Sequence, residues 1–192
     1  MEPRETAAAT AGGGSRGEIF IFNGPLSGTR TVASADATIT GSFANESFGA
    51  SIASAGDING DGVNDIIIGA PRFPLNGADT GRAYVFFGPV SGSLIATQAD
   101  AIIFGEAVND DFGVAVAGGK DINGDGRPDV IVGADQLFVT TGAGKAYVFY
   151  GPLSGNIQAA NADAILTGEV NRDLFGMSVT SVVTSMAMAL VM

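Results

Sequence analysis

The sequence of 192 residues contains no cysteine, no histidine and no tryptophan. Without cysteine the fold has no disulfide framework, and the redox compartment stays open. Without histidine the chain lacks the commonest general base and the commonest zinc ligand. Lys and Arg number only 9 and are thinly spread, so a nucleic-acid-binding surface is not expected. No apolar run approaches the length of a membrane span.

The composition that remains is apolar, acidic and rich in glycine. Hydrophobic residues make up 46 % of the chain, glycine occurs 29 times and the formal net charge is −11. This favours a packed domain with many turns over a disordered polyanion. Residues 1–16 are rich in Ala, Thr and Gly and contain no apolar run of signal-peptide length. They are predicted to form a disordered tail without a signal peptide.

One loop occurs twice, as Asp57-Ile-Asn-Gly-Asp-Gly-Val-Asn-Asp65 and as Asp121-Ile-Asn-Gly-Asp-Gly-Arg-Pro-Asp129. Each copy places side-chain oxygens at loop positions 1, 3, 5 and 9, and a glycine at position 6 lets the backbone turn so that these oxygens can converge. Oxygen ligands in this pattern predict a calcium ion in each loop. The predicted ligands are Asp57, Asn59, Asp61, the Val63 carbonyl and Asp65 in the first loop, and Asp121, Asn123, Asp125, the Arg127 carbonyl and Asp129 in the second.

Two other interpretations of these loops were weighed. An EF-hand or dockerin-like loop opens in the same way, but it needs an acidic residue at position 12 and a helix afterwards. Position 12 is Ile68 in the first copy and Val132 in the second, each inside a β-branched run, which excludes that class. A metal-free Asp/Asn/Gly turn is common where hairpins reverse. Retention of every ligand in both copies favours calcium.

The repeat extends well beyond the loop. Phe48-Gly49, Phe112-Gly113 and Phe175-Gly176 open successive units, and a Tyr-Val-Phe segment recurs at Tyr84 and Tyr147. Within a unit the apolar runs are short and are bounded by Gly, Pro, Asn or Asp, which predicts strands. Four such runs per unit predict an all-β fold of antiparallel, four-stranded blades.

The units resemble FG-GAP repeats, the blades of the integrin alpha-chain head and of many bacterial surface or secreted proteins. The first copy carries the pattern Phe48-Gly49, Gly56-Asp-Ile-Asn-Gly-Asp-Gly62 and Gly69-Ala-Pro71, and the second departs from it at Asp135. The resemblance implies a seven-bladed β-propeller with calcium loops between the first two strands of a blade. It also implies a ligand surface on the opposite face of the ring.

The repeat pattern divides the chain into a disordered tail and parts of four units. Residues 17–47 are predicted to form the second half of a blade, residues 48–111 and 112–174 full repeats with a calcium loop, and residues 175–192 a truncated third repeat. The codons that Met186-Ala-Met-Ala189 requires, shifted back by one nucleotide, spell glycine alternating with Asp, Asn, His or Tyr. A frameshift near Ser181 would explain the loss of a third calcium loop, and the chain is expected to be an incomplete piece of a longer propeller.

These observations predict a non-enzymatic, calcium-binding propeller fragment of a surface or secreted protein, used in adhesion or ligand binding. Calcium at two sites is expected to be structural, and the ligand is expected to be a protein or a carbohydrate. Open blade edges predict self-association. Two alternatives stay open: an accessory scaffold of a secreted hydrolase of the phospholipase or polysaccharide-degrading type, and a nonfunctional pseudogene product.

Overall fold

The computed structural model describes residues 6–11, 16–75, 78–137, 139 and 141–182. Within these ranges the fold is all-β, with strands joined by turns and three single-turn 3-10 helices at Val32–Ser34, Ala96–Gln98 and Ala159–Asn161. No helix in the described part of the chain is long and apolar enough to cross a membrane. The predicted frameshifted segment, residues 183–192, lies outside the described residues.

The strands are short, as expected for apolar runs bounded by turn residues. In chain order they are β1 (Thr6–Ala11), β2 (Glu18–Asn23), β3 (Ala37–Thr40), β4 (Ser51–Gly56), β5 (Asp65–Ala70), β6 (Pro74–Leu75), β7 (Ala78–Asp79), β8 (Arg82–Phe86), β9 (Gly92–Ile95), β10 (Ala101–Phe104), β11 (Ala115–Lys120), β12 (Asp129–Ala134), β13 (Lys145–Phe149), β14 (Gly155–Gln158) and β15 (Ala164–Thr167).

The first complete blade is the antiparallel series β4-β5-β8-β10. Ile67 and Ile68 on β5 are both fully buried, and they belong to two different apolar clusters. Because neighbouring side chains of a strand point to opposite faces, this strand is covered on both sides, as its continuous apolar run predicts. The second complete blade repeats the arrangement as β11-β12-β13-β15.

A partial sheet lies before these blades and corrects one prediction. The composition of residues 1–16 predicts disorder, whereas Thr6–Ala11 form β1 and pair antiparallel with the whole of β2. The pairing gives partners to the backbone groups on that edge of β2, whose Ile19 and Ile21 are buried. An available strand edge therefore orders a segment whose composition alone favours a loose chain.

Two strands lie where the repeat pattern does not place them. Gly92–Ile95 and Gly155–Gln158 sit in the connection between the third and fourth strands of a blade. Each pairs in parallel with the last strand of the preceding sheet, β9 with β3 and β14 with β10. The prediction of four antiparallel strands per sheet is therefore incomplete, because each of these two sheets gains one parallel strand from the next unit.

The phenylalanine that opens each unit joins neighbouring sheets. Phe112 is fully buried, its ring meets Tyr147 edge-on at 5.3 Å, and its backbone bridges to Gly81 of the preceding blade. A Cβ added to Gly81 would lie 2.2 Å from the Phe112 carbonyl oxygen, so only glycine fits there. Phe48 meets Tyr84 in the same way at 5.5 Å. These phenylalanines therefore act as packing anchors between neighbouring sheets.

Candidate metal centre

The first repeated loop connects β4 to β5, the first two strands of the first blade. A β-bulge between Ser54 and Gly56 ends the regular pairing just before the loop. The second loop connects β11 to β12, and a corresponding bulge lies between Gly118 and Lys120. Strands therefore flank both loops, and the exclusion of a helix-flanked EF-hand is confirmed.

The acidic side chains of the first loop turn inward and accept hydrogen bonds from the loop's own backbone. Asp57 Oδ1 accepts from Gly60 N and Asp61 N, both at 2.8 Å, and its Oδ2 accepts from Gly62 N at 2.8 Å. Asn59 Oδ1 accepts from Asp61 N at 2.9 Å. A glycine φ of +83° at position 4 and +89° at position 6 makes this tight path possible.

The second loop repeats these contacts almost bond for bond. Asp121 Oδ1 accepts from Gly124 N at 2.6 Å, and its Oδ2 accepts from Gly126 N at 2.8 Å. Asp125 Oδ1 accepts from Arg127 N at 2.8 Å, and Asn123 Nδ2 donates to Asp125 Oδ2 at 3.0 Å. The pKa of the exposed Asp125 is lowered, mainly by the hydrogen bond from the Asn123 side chain and then by that from the Arg127 backbone. The first five positions thus adopt one conformation in both copies.

The aspartate at position 9 differs from the others because it is fully buried. Asp65 Oδ2 accepts from Ile58 N at 2.9 Å, and its Oδ1 accepts from Gly88 N at 2.8 Å. Burial raises the pKa of Asp65, the backbone donors oppose this, and the charge of Asp61 adds to the rise. Asp129 has the same burial and the same direction of pKa shift. The position-9 carboxylate therefore ties the loop to the rest of the blade.

The partner of this aspartate is a residue that the sequence interpretation missed. Gly88 and Gly151 begin the repeated Gly-Pro turns after the third strand, and each donates its N–H to the position-9 carboxylate. The separations are 23 and 22 residues. The sequence contained a signal for this contact, because a glycine follows the position-9 aspartate of each loop at a nearly constant separation along the chain. A Cβ on Gly88 would lie 2.4 Å from the Asn64 carbonyl oxygen, so the approach requires glycine.

The donor set of each loop fits a hard divalent cation. Asp57 and Asp61 offer carboxylate oxygens, Asn59 an amide oxygen and Val63 a backbone carbonyl, and oxygen ligands of these types are what calcium prefers. Carboxylate oxygens that accept one or two N–H bonds retain further acceptor capacity. Burial is the main cause of the raised pKa of Asp65, and the charge of Asp61 adds a smaller contribution.

The acidic side chains of the two loops do not form a compact carboxylate cluster. Among the described residues, no group of three or more His, Cys, Asp or Glu side chains is close enough to hold a metal. In the first loop both oxygens of Asp65 accept hydrogen bonds from backbone N–H groups. In both loops the amide nitrogen of the position-3 asparagine donates to the position-5 carboxylate, at 2.9 Å in the first loop and 3.0 Å in the second.

Three other repeated aspartates have a structural role. Asp36, Asp100 and Asp163 each accept a hydrogen bond from the backbone N–H that follows the third strand, at 2.8, 2.7 and 2.8 Å. These bonds fix the connection between the third and fourth strands. The recurrence of Ala-Asp-Ala therefore reflects a turn and not a further ligand set.

A second acidic region lies at the opposite ends of the strands. Asp110, Asp111 and Asp135 are buried there, with Asp79 and Arg72 nearby. Burial, and then the charge of Asp135, raise the pKa of Asp111 to about 6. Asp135 stands where the first repeat has Pro71, and its Oδ1 accepts from Leu137 N at 3.0 Å. This departure from the repeat thus has a local hydrogen-bonding role.

Comparison with known proteins matches the same segments. The FG-GAP repeat model matches residues 48–86 and 112–149. Integrin alpha pat-2 of Caenorhabditis briggsae is 44 % identical over 89 residues, which are 45 % of this chain and 7 % of that protein. Human integrin alpha-11 is 35 % identical over 121 residues, 62 % of this chain and 9 % of that protein.

A third relative extends the match further along the chain. Integrin alpha-6 of Gallus gallus is 35 % identical over 135 residues, which are 69 % of this chain and 12 % of that protein. The chain therefore matches only about a tenth of the length of these relatives.

Proposed function

We propose, from the premise that this chain is an FG-GAP repeat protein similar to integrin alpha chains, that it is a calcium-stabilised, non-enzymatic part of a β-propeller. The parent protein is proposed to be displayed at the cell surface or secreted, and to bind a protein or carbohydrate ligand in adhesion. One observation carries the calcium proposal. Two loops of the same sequence fold the same way, with the position-1, 3 and 5 side chains turned into the loop in both.

The proposed ligands in the first loop are the side chains of Asp57, Asn59 and Asp61 with the Val63 carbonyl. Asp65 supplies a further carboxylate, which acts on the ion either as a direct ligand or through the attraction of its negative charge. In the second loop the same roles go to Asp121, Asn123, Asp125, the Arg127 carbonyl and Asp129. A bound calcium ion supplies positive charge to a loop that carries three carboxylates.

The proposed role of calcium is structural. Burial raises the pKa of Asp65, and the charge of Asp61 adds to the rise. An ion that binds only the folded loop adds stability by mass action, about 2.7 kcal/mol per site at a calcium concentration about 100-fold above Kd. Extracellular calcium modules use weak sites with Kd on the order of 10⁻⁴–10⁻³ M, which suits the environment proposed here.

The proposed ligand-binding face lies at the ends of the strands remote from the calcium loops. In each antiparallel blade, the connections after the second and fourth strands lie at that end. They carry apolar side chains that differ between units and are strongly exposed: Phe43 at 45 %, Val108 at 50 %, Leu137 at 52 % and Val170 at 63 %. Exposed apolar side chains of varied identity suit recognition of a protein ligand.

The calcium proposal is tested by titration calorimetry and thermal unfolding of the chain with calcium, with magnesium and with EDTA. We expect two sites for calcium, weaker binding of magnesium, and a higher Tm in calcium than in EDTA. The double variant Asp57→Asn, Asp121→Asn is the matched control, because the amide keeps the shape and removes one charge per loop. An identical Tm in calcium and EDTA, with no heat of binding, would contradict a structural calcium.

A further inference from the structure

Asparagine followed by glycine occurs four times in the chain, and two of these pairs occupy the same place in the two repeated loops. They are Asn59-Gly60 and Asn123-Gly124, at loop positions 3 and 4. Asn59 is half-buried, Asn123 is exposed, and both glycines are exposed. Because glycine has no Cβ, the asparagine side chain can come close to the backbone nitrogen that follows it.

In both loops the asparagine side chain is folded back towards the chain. Asn59 Oδ1 accepts a hydrogen bond from Asp61 N, and Asn123 Oδ1 accepts one from Asp125 N, each at 2.9 Å. A side-chain carbonyl that accepts from the N–H two residues later forms an Asx turn. Only three atoms then separate the side-chain Cγ from the glycine nitrogen, and the turn holds both atoms in one small ring. The same bond places a donor on the oxygen that becomes negative when Cγ is attacked.

The glycine nitrogen of each pair is hydrogen-bonded to a carboxylate. Gly60 N donates to Asp57 Oδ1 at 2.8 Å, and Gly124 N donates to Asp121 Oδ1 at 2.6 Å. The N–H proton therefore points to an acceptor outside the small ring, and this carboxylate can take up the proton while the nitrogen forms a new bond. Each loop thus combines a nitrogen, a carbonyl carbon, an oxyanion donor and a proton acceptor.

We propose that Asn59 and Asn123 are sites of spontaneous deamidation in the folded, ion-free loops. The glycine nitrogen bonds to Cγ of the asparagine, and its proton passes through Asp57 or Asp121 to Nδ2. The bond between Cγ and Nδ2 then breaks, and ammonia leaves. The remaining succinimide ring takes up a water molecule. Hydrolysis at one carbonyl gives aspartate, and hydrolysis at the other gives isoaspartate, in which the backbone runs through the former side chain.

A third pair has the same two residues but a different setting. Asn23-Gly24 lies at the end of β2 and is followed by Pro25. Proline has no N–H, so the Asn23 side chain cannot form an Asx turn with the residue two positions later. This pair is an internal reference for the reactivity of an Asn-Gly sequence without the loop geometry. The fourth pair, Asn76-Gly77, lies outside the described residues.

Deamidation changes the charge of a loop and one of its hydrogen bonds. Asn59 Nδ2 donates to Asp61 Oδ2 at 2.9 Å, and Asn123 Nδ2 donates to Asp125 Oδ2 at 3.0 Å. In the aspartate product a carboxylate replaces this donor and repels the carboxylate at position 5, which weakens the ion-free loop. If the loop binds calcium, the added carboxylate also strengthens binding, and this step alone rests on the proposed function.

The first test measures deamidation of the intact chain at neutral pH in EDTA. Incubation in heavy-oxygen water labels only the asparagines that react during the experiment, and peptide mapping by mass spectrometry gives a rate for each one. The same measurement in urea gives the rates in the unfolded chain. The ratio of the folded to the unfolded rate is expected to be at least about ten-fold larger at Asn59 and Asn123 than at Asn23. A ratio at the loop asparagines equal to or below that at Asn23 would overturn the proposal.

The second test removes the proton acceptor from one loop. In Asp57→Asn the new amide still accepts the hydrogen bond from Gly60 N but does not take up its proton. Deamidation of Asn59 is expected to slow by at least about ten-fold, while the rates at Asn123 and Asn23 stay the same. These two asparagines in the same molecule report any loss of folding. An unchanged rate at Asn59 would contradict the assignment of its proton acceptor.

The third test uses Asn59→Asp as a stable copy of the aspartate product. Urea unfolding in EDTA is expected to show a lower stability than that of the natural chain. In the background of Asp121→Asn, calorimetry is expected to give about 3–10-fold tighter calcium binding than with Asn59, and weaker binding would refute this consequence. Because the deamidation rates are measured in EDTA, a chain that binds no calcium would refute the proposed function without affecting the modification sites.

Discussion

The two complete blades have loops of nearly the same sequence but different neighbours. Ile58, at position 2 of the first loop, is fully buried in the cluster that joins the two blades. Pro128 of the second loop lies close to Gly56, the residue just before the first loop. A Cβ added to Gly56 would lie only 2.8 Å from the Pro128 side chain. The equivalent Ile122 of the second loop is only half-buried. The first loop is therefore enclosed by the blade that follows it, and the described residues include no complete blade after the second loop.

This difference shows that the conformation of a loop and its stability have separate origins. The internal hydrogen bonds of the two loops are equivalent, since they arise from the same residues at the same spacing. The enclosure of Ile58 arises from a blade that begins more than fifty residues later in the chain. Preorganisation by a neighbour lowers the cost of ordering a binding loop.

The largest expected effect comes from truncating the two isoleucines. Ile58→Ala is expected to destabilise the protein by about 2–5 kcal/mol, because a buried cavity is left between the blades. Ile122→Ala is expected to cost about 1–2 kcal/mol, since its side chain is half exposed and the site can relax. Urea unfolding in EDTA measures both, with Ile95→Ala, 49 % exposed, as the surface control. Equal losses in the free energy of unfolding for the two variants would contradict the difference in enclosure between the two loops.

The second prediction separates the two calcium sites. In Asp121→Asn only the first loop retains its full charge, and in Asp57→Asn only the second does. We expect the first loop to bind calcium about 3–10-fold more tightly, because its conformation is already held by the neighbouring blade. Titration calorimetry on the two variants gives the dissociation constants. Tighter binding by the second loop would show that enclosure hinders the ion more than it preorganises the ligands.

The third prediction concerns the turn that opens each blade, where Ser47 in the first blade corresponds to Asp111 in the second. Both have a φ near +55°, at +56° and +53°. Because the pKa of Asp111 is raised to about 6, the folded state holds its proton above pH 3.8, and stability falls as the pH rises towards 6. Asp111→Asn is expected to remove this loss and to stabilise the protein by on the order of 1 kcal/mol at neutral pH.

Chemical denaturation across this pH range measures the effect of Asp111→Asn. Little change is expected at low pH, where Asp111 is protonated in both states. The groups that face Asp111 and contribute to its titration are Asp135, Arg72, Asp79 and Asp110. Ser47→Asn in the first blade is the matched control, since no carboxylate is removed. A variant that lost stability at neutral pH would contradict the assignment.

The smallest expected effect comes from the carboxylates beside the two core tyrosines. Tyr84 lies 3.5 Å from the fully buried Glu46, whose pKa is raised by burial. Tyr147 donates to Glu106 at 2.8 Å, and hydrogen bonding from Lys145 lowers the pKa of that carboxyl. The Glu106 contribution is therefore present above its unfolded pKa and is lost as the pH falls through the folded value.

Replacement of each carboxylate by its amide is expected to act in opposite directions at neutral pH. Glu106→Gln is expected to cost about 0.5–1 kcal/mol, because it removes a partly exposed ion pair. Glu46→Gln is expected to be neutral or slightly stabilising, since it replaces a buried group whose charged form is disfavoured. Thermal unfolding at two pH values measures the change in stability of both variants. If both variants lost stability by a similar amount, the two tyrosine sites would be equivalent and the prediction would be wrong.

Much of the fold could be predicted from short patterns. The runs at Ile66–Ile68 and Val130–Val132 gave buried strands, and position 12 of each loop excluded a helix-flanked site. The asparagine at position 3 accepts a hydrogen bond from the backbone of position 5 in both loops, and binding of calcium by these residues stays a prediction. These features depend on side-chain period and turn chemistry within nine residues or fewer, which a sequence displays directly.

Other features could not be predicted because they depend on distant partners. The composition of Thr6–Ala11 favours disorder, and only the edge of β2 makes it a strand. The position-9 aspartates look like ordinary ligands, but each is buried and accepts a hydrogen bond from a Gly-Pro turn 22 or 23 residues further along the chain. The acidic cluster around Asp111 combines residues from three different connections, so no local pattern indicated its raised pKa.

The sequence by itself determined the repeat, the strands within it and the inward-turned oxygens of the two loops, because each follows from the conformational preferences and hydrogen-bonding capacity of neighbouring residues. Only the tertiary structure decided how the following blade encloses the first loop and which sheet edges gain a parallel strand from the next unit. The parallel strands join residues as far apart as Thr38 and Ser93, whose hydroxyls meet at 3.2 Å across 55 positions. Such contacts depend on how one blade is placed against the next, and the physical reason is that a strand edge accepts any backbone that the fold brings alongside it.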